Sequence, residues 1–269
     1  MKIATTKVLL GEAPKGYARV VLTEESKGTK RIVRENGVDT LEIGTGKNAE
    51  LNDRKFIVLC RALVQAAKAA KYGKIAVEFS ELTAERAQLA AENFEMAAYE
   101  FNHFKTKPKE GWKQIDELLV CGISSNAIES ALKKGQEIGR AVNACRTLAN
   151  TPGGDITPTT LAKSATEAVK GLPVKVTTLG EKEMQKLGMG ALLGVAKGSS
   201  EKPTFTIMEY VGAKGSPIVL VGKGVTFDSG GLNLKPSNSI YEMHMDMSGA
   251  AAVIQAVAAA ARQKQKKHV

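Results

Sequence analysis

The chain has 269 residues, of which 43% are hydrophobic and 25% are charged, a composition typical of a folded protein of one or two domains. This composition excludes intrinsic disorder as the main state. The formal net charge is +10, and the run Arg262–Lys267 supplies four of the positive charges. No aromatic residue lies in that run to stack on bases, so a solvated lysine-rich surface is a better interpretation than nucleic-acid binding.

The cysteine positions and the hydropathy of the sequence indicate the cellular compartment of the protein. Cys60, Cys121 and Cys145 are widely spaced and form no CxxC pair, so neither a thiolate zinc site nor a disulfide framework is indicated. No apolar stretch approaches the ~20 residues of a membrane helix, and the N-terminus lacks the pattern of a signal peptide. We therefore expect a cytoplasmic protein without membrane contact.

The first half of the chain alternates strands and helices. The pattern predicts strands at Ala18–Leu22, Thr40–Ile43, Lys74–Phe79 and Leu118–Ile123, a helix over 51–70, and a long helix capped by Thr83 that runs to about Phe104. This alternation predicts an N-terminal α/β domain with a mixed sheet, over residues 1–125.

A long helix over 126–149 is predicted to link this domain to a second one, because Pro and Gly cluster directly after it. The second domain, 150–269, repeats the alternation. Predicted helices are Pro158–Val169, Glu181–Leu187 and Ser248–Ala261, and predicted strands are Val174–Leu179, Thr204–Val211 and Pro217–Val221. The last strand is apolar throughout its second half, as buried strands are.

The segment after the last predicted strand concentrates the residues that suit a site. The strand runs into Lys223, and functional groups favour the carboxyl ends of strands. Asp228 follows, then the pair Gly230–Gly231, which lets the backbone turn tightly. Lys235 comes next, and Asp246 lies just ahead of a helix. Two carboxylates in such a loop-rich stretch indicate a site for a divalent cation.

Simpler explanations exist for each residue of this segment. An aspartate before a helix, such as Asp246, often acts only as a cap, and single lysines usually lie on the surface. His244 is a further possible ligand or base, although the chain has no HExxH motif. Ser229 lacks a GxSxG context, and no phosphate-binding loop motif is present.

The same segment resembles the signature of the leucyl aminopeptidase (cytosol aminopeptidase) family. The similarity is carried by VGKGVTFDSGG, LKP and EMHMDMSGAA within residues 219–252, and weaker similarity is found at Tyr99–Lys107 and Leu148–Asp155. The resemblance implies a cytoplasmic exopeptidase that removes N-terminal residues, often leucine, from peptides. It also implies two divalent metal ions, Mn²⁺ or Zn²⁺, and a homo-oligomer, usually a hexamer.

By resemblance, each of five residues has an expected role. Asp228 would bridge both metals, and Lys223 and Asp246 would ligate one of them. Lys235 would polarise the peptide carbonyl and stabilise the tetrahedral intermediate, and Met243 would line the pocket for the first side chain of the substrate. Lys223 could bind a metal only as the neutral amine, which requires burial or neighbouring cations.

The sequence departs from the family downstream, because the family's NTDAEGR motif is absent. We therefore expect a truncated chain with an incomplete C-terminal α/β/α metallopeptidase domain and an unpaired sheet edge or uncovered apolar surface. Two metal-binding carboxylates would be missing, so weak or no activity is expected. The alternatives are a non-catalytic binding or assembly protein derived from the aminopeptidase fold and, less well supported, a nucleic-acid binder.

Overall fold

The computed structural model describes residues 1–25, 28, 30–35, 37–47 and 50–269. The chain divides into two compact units, Met1–Arg140 and Ala141–Val269. This division falls inside the helix that the sequence predicts as a linker, so the helix contributes residues to both units.

The first unit is built on a six-stranded mixed sheet. Its elements are β1 (Lys2–Thr5), β2 (Ala18–Thr23), β3 (Lys30–Glu35), β4 (Val38–Gly44), α1 (Asp53–Ala69), β5 (Lys74–Glu78), α2 (Ala84–Ala98), β6 (Glu117–Cys121) and the first part of α3 (Asn126–Asn150). The strand order is β1-β6-β5-β2-β4-β3, and all neighbours are parallel except the β3–β4 pair. The predicted mixed-sheet α/β domain is confirmed.

Apolar runs in the central strands explain the position of this sheet. Ile75 and Val77 of β5 are fully buried, as is usual for parallel strands covered by helices. Phe56 of α1 and Phe94 of α2 pack in the same core. Helix starts are fixed locally: the side chains of Asn52 and Thr83 accept hydrogen bonds from the first turns of α1 and α2.

Helix α2 ends earlier than the sequence predicts. It stops at Ala98 instead of continuing to about Phe104, because Tyr99 adopts an extended conformation (φ −60°, ψ 136°). Residues after Ala98 are mostly aromatic or Asn, which have lower helix propensity than the Ala, Glu and Gln before them. Lys68 of α1 donates a hydrogen bond to the Ala98 carbonyl (3.1 Å) and so satisfies one of the carbonyls exposed at the helix end.

Two glycines bring α3 against α2 within the first unit. A Cβ atom on Gly135 would lie 2.1 Å from the Gln88 carbonyl oxygen, and one on Gly139 would lie 2.8 Å from the Glu92 carbonyl oxygen. Beside this contact, Gln136 donates a hydrogen bond to the buried Glu95 carboxylate (2.5 Å). The helices therefore meet backbone to backbone, at a distance that only glycine permits.

On the sheet, the Tyr17 hydroxyl donates a hydrogen bond to the Glu117 carboxylate, and this bond raises the pKa of Tyr17 to about 12. Because the folded-state pKa lies above the ordinary value of 10.0, this stabilisation is complete below pH 10 and is lost as the pH rises toward 12. We expect Tyr17→Phe to be less stable than wild type at neutral pH, with a difference that shrinks across that window. Urea titrations at several pH values, followed by the fluorescence of Trp112, measure this.

The control for this substitution is Tyr241→Phe, which removes a hydroxyl from a tyrosine that is 78% exposed. Tyr241 lies in the second unit, so the Trp112 transition of this variant should match that of wild type at each pH. A difference between Tyr17→Phe and wild type that stays constant from pH 8 to 12 would contradict the assignment.

The second unit combines helices with a two-stranded antiparallel sheet. After the second part of α3, its elements are α4 (Pro158–Ala168), β7 (Val174–Leu179), α5 (Glu181–Lys186), α6 (Gly190–Ala196), β8 (Phe205–Tyr210), α7 (Ser237–Ile240) and α8 (Ser248–Arg262). Leu161 and Ala165 of α4 pack against Ala251 and Ile254 of α8 in the core of this unit. The fold is therefore α/β in this unit as well.

The prediction of a strand over Pro217–Val221 is wrong. Val219 and Val221 are 74% and 90% exposed, and residues 217–221 form no ladder with any strand in the described part of the chain. The place beside β8 is taken by residues 267–269: Tyr210 and Val269 exchange two backbone hydrogen bonds of 2.9 Å. The segment 217–221 itself makes one backbone hydrogen bond to these residues, from the Ile218 N–H to the His268 carbonyl (2.8 Å), and a single bond does not make a strand.

Within the described ranges, no helix is both long enough and apolar enough to cross a membrane.

Candidate functional site

The loop after Lys223 folds back on itself because of Gly230. This residue has φ +89°, and a Cβ atom on it would lie 2.4 Å from the Asn233 carbonyl oxygen, so glycine is required. Its N–H donates to the Asp228 carboxylate (2.9 Å), and the Lys235 N–H donates to the Ser229 carbonyl (2.9 Å). These bonds close the loop and return Lys235 to the side of Asp228.

Lys235 and Asp228 form the first of two ion pairs in the site. The Lys235 Nζ donates to the Asp228 Oδ2 at 2.8 Å and also lies 3.0 Å from the Met243 sulfur. The hydrogen bond from Lys235 lowers the pKa of Asp228, with a smaller contribution from the Gly230 N–H. Asp228 is therefore held as the carboxylate, the form that can bind a cation.

Lys223 and Asp246 form the second pair, with the Lys223 Nζ 2.6 Å from the Asp246 Oδ2. The Asp246 side chain is only 18% exposed, and this Oδ2 atom is buried without a partner in hydrogen-bond geometry. The contact is a charge pair whose angles do not suit a hydrogen bond. Asp246 does not cap α8, since the residue at the cap position is Met247 and no side chain bonds there.

The two pairs belong to one cluster. They are joined through Met243, whose sulfur lies 3.0 Å from the Lys235 Nζ and whose carbonyl accepts a hydrogen bond of 3.4 Å from the Asp246 N–H. Two lysine side chains thus face two carboxylates. All five residues that the sequence predicts for the site, Lys223, Asp228, Lys235, Met243 and Asp246, are brought together by these contacts.

The cluster offers donors that suit a divalent metal. Carboxylate oxygens and a neutral amine nitrogen match the preferences of Mn²⁺ and Zn²⁺. The Asp246 Oδ2 is buried and contacts only the Lys223 Nζ among the charged groups of the described residues, so a metal at this atom would replace that contact. Across the described residues, no three His, Cys, Asp or Glu side chains group as a metal site, because this cluster has only two carboxylates. The residues present therefore fit a metal with an incomplete set of acidic ligands.

A cavity of about 430 Å³ lies beside the cluster. Its lining residues are Phe227, Ile240, Tyr241, Glu242, Met243 and His244. Glu242 has φ +88°, a conformation that non-glycine residues seldom adopt and that is often found at functional sites. His244 lies in the cavity wall and takes part in neither ion pair.

Sequence reasoning placed Met243 in a pocket but missed Phe227 and Tyr241. Both are large aromatic residues, 49% and 78% exposed. The available signal was their position: each lies within two residues of a predicted site residue, Asp228 or Met243.

The fold and the site define an α/β chain whose charged cluster lies where an extended segment meets the start of a helix. Two family models match the chain: "Cytosol aminopeptidase family, catalytic domain" over residues 143–269 and "Cytosol aminopeptidase family, N-terminal domain" over residues 38–108. The chain belongs to the cytosol aminopeptidase family.

Relatives named "Probable cytosol aminopeptidase" agree with this assignment. The relative from Geobacter sp. (strain M21) is 33% identical over 266 residues, which cover 97% of this chain and 52% of the relative. The relative from Nitrosospira multiformis is 36% identical over 236 residues, which cover 82% of this chain and 46% of the relative. The relative from Chlorobaculum parvum is 48% identical over 162 residues, which cover 59% of this chain and 32% of the relative. The chain spans between a third and about half of the length of these relatives.

Solved structures show the same fold. A tomato leucine aminopeptidase mutant matches with a TM-score of 0.82 and 22% identity, over 99% of this chain and 60% of its own. The bottromycin maturation enzyme BotP, solved in complex with Mn, matches with a TM-score of 0.77 and 24% identity, over 100% of this chain and 58% of its own. At these identities the likeness concerns the fold alone.

Proposed function

We propose that this chain carries part of the two-metal site of a metal-dependent, leucyl-type aminopeptidase. Lys223, Asp228 and Asp246 would hold the metal ions. The observation that carries the proposal is that both lysine–aspartate pairs contact Met243, a residue that also lines a cavity of about 430 Å³. Membership of the cytosol aminopeptidase family supports it.

In this proposal, different residues of the chain have different roles in peptide hydrolysis. Bound Mn²⁺ or Zn²⁺ ions would supply Lewis acidity toward the peptide carbonyl. Lys235 stabilises the negative charge that develops on the carbonyl oxygen. The cavity that Met243 lines receives the side chain of the N-terminal residue. The substrates in this proposal are peptides with a free N-terminus, in the cytoplasm, and the active form is a homo-oligomer.

A shortage of negative charge limits what this chain does alone. Two carboxylates and one amine are too few to hold two dications tightly, since charge and ligand number set cation affinity. We therefore propose that the chain by itself hydrolyses peptides weakly or not at all. A non-catalytic binding or assembly role is the second candidate, favoured by the exposed apolar residues 218–221, which are 43–90% accessible.

Metal titration separates these two candidates. Calorimetry with Mn²⁺ or Zn²⁺ should show saturable binding to the wild-type chain that is lost in Asp246→Asn. Glu167→Gln, which removes the same charge at an exposed position of α4, should bind as wild type does. The aminopeptidase proposal is abandoned if the wild-type chain takes up no ion, or if Asp246→Asn binds equally well.

An activity assay tests the second part of the proposal. With a leucine amide and Mn²⁺, we expect turnover that is absent or very slow, and lower still in Lys235→Ala. Turnover at ordinary enzyme rates, on the order of 10 s⁻¹, would overturn the expectation that the chain is weak alone.

A further inference from the structure

Two glycines lie on either side of a close backbone contact next to the charged cluster. A Cβ atom on Gly222 would lie 2.5 Å from the Gly249 carbonyl oxygen and 2.7 Å from the Ala250 Cα. A Cβ atom on Gly249 would lie 2.8 Å from the backbone nitrogen of Lys223. Neither glycine has a positive φ, so steric room and not backbone conformation requires glycine at both positions.

A hydrogen bond fixes this contact. The Ala250 N–H, in the first turn of α8, donates to the Lys223 carbonyl at 2.8 Å. No side chain caps the start of this helix, so the Lys223 carbonyl satisfies one of its free N–H groups. The residue whose side chain pairs with Asp246 therefore also binds the helix that begins two residues after Asp246.

We propose that Gly222 and Gly249 are positioning residues that hold the Lys223 amine at the Asp246 carboxylate. The segment 222–224 lies directly on the start of α8 only because neither backbone carries a side chain at the point of contact. Any Cβ atom there would push the segment away from the helix, break the Lys223–Ala250 bond and move Lys223 from Asp246. The part that concerns metal binding rests on the proposed function, whereas the positioning of the amine does not.

Gly224 provides a matched control in the same segment. A Cβ atom on Gly224 would lie 3.6 Å from the Ala250 Cβ and 3.7 Å from the Leu161 Cδ2, which are ordinary contact distances. Gly222→Ala and Gly249→Ala thus add the same methyl group as Gly224→Ala, but only the first two disturb the contact. The three variants share any effect of glycine replacement on the unfolded chain.

Zero-length carbodiimide cross-linking of the metal-free chain, read by mass spectrometry, tests the positioning directly. It joins an amine to a carboxylate only when the two groups touch. Wild type and Gly224→Ala should give the Lys223–Asp246 cross-link, and Gly222→Ala and Gly249→Ala should lose most of it. The Lys235–Asp228 cross-link is the internal reference and should remain in all four proteins.

Metal titration adds a second readout. We expect the dissociation constant of Mn²⁺ to rise roughly 10–100-fold in Gly222→Ala and Gly249→Ala, as when a group that orients a metal ligand is lost. Gly224→Ala should bind as wild type does. If wild type binds no metal, the proposed function fails, and the cross-link result still decides the role of the glycines.

The inference is overturned if Gly222→Ala and Gly249→Ala, folded by circular dichroism, keep the Lys223–Asp246 cross-link at the wild-type yield. It is also overturned if both cross-links fall together, because that result means general loosening and not a specific loss of position. Should one variant fail to fold, the other glycine of the pair carries the test.

Discussion

Replacing Asp228 by Asn is expected to weaken Mn²⁺ binding by more than the roughly 10–100-fold that loss of a supporting group costs. Asp228 is a carboxylate that accepts hydrogen bonds from the Lys235 side chain and from the Gly230 N–H. Asn keeps the shape of the side chain but removes the negative charge that a dication requires. The substitution therefore removes half of the carboxylate charge of the cluster.

Calorimetric titration with Mn²⁺ measures the effect, and Glu201→Gln is the control. Glu201 is exposed in the loop before β8, so its replacement changes the net charge equally without touching the cluster. Equal affinities of Asp228→Asn and Glu201→Gln would remove Asp228 from the ligand set. The metal-free fold should survive Asp228→Asn, since an ion pair that is about a third exposed contributes little to stability.

Replacing Gly135 by Ala is expected to destabilise the first unit by about 2–3 kcal/mol, in the range that overpacking costs. In an exposed helix the same change stabilises, by up to about 1 kcal/mol, because Ala is the better helix former. Here the new methyl group would lie 2.1 Å from the Gln88 carbonyl oxygen, so α2 and α3 must separate. That movement also strains the buried bond between Gln136 and Glu95.

Urea denaturation followed by the fluorescence of Trp112, the single tryptophan of the chain, reports on the first unit. Gly194→Ala is the comparison, because Gly194 lies inside α6 with nothing within 4 Å of a Cβ atom. Its Trp112 transition should match that of wild type, and its own unit should gain about 0.5–1 kcal/mol. A Gly135→Ala protein as stable as wild type would show that the two helices do not need their close contact.

Periodicity located most elements, and it failed where a competing contact decided. The helix predicted over 51–70 became Asp53–Ala69, and the strand predicted over Val174–Leu179 has the same bounds in the structure. Both carry their own signals, a cap or an alternating pattern. The segment Pro217–Val221 carries an equally clear apolar signal and is not a strand, because residues 267–269 occupy the edge of β8. The sequence does not state which of two segments pairs with that edge.

The candidate site also contains residues that the sequence predicted and residues that it did not predict. Lys223, Asp228, Lys235 and Asp246 were predicted from residue type, spacing and family resemblance, and the structure pairs Lys223 with Asp246 and Lys235 with Asp228. Phe227 and Tyr241 were not predicted, because a cavity wall depends on how loops pack. The glycines divide in the same way. Gly230 has a positive φ, a local property that the Gly230–Gly231 pair suggested in the sequence, whereas Gly222 and Gly249 do not have a positive φ.

The sequence by itself determined the family, the α/β character of both units and the identity of the charged residues. Each of these follows from residue type and short-range spacing, which the chain carries without folding. Tertiary structure alone decided which lysine pairs with which aspartate, where α2 ends, and why Gly222 and Gly249 are glycines. These depend on atoms that are distant in sequence and meet only when the backbone is packed, at distances that no local pattern encodes.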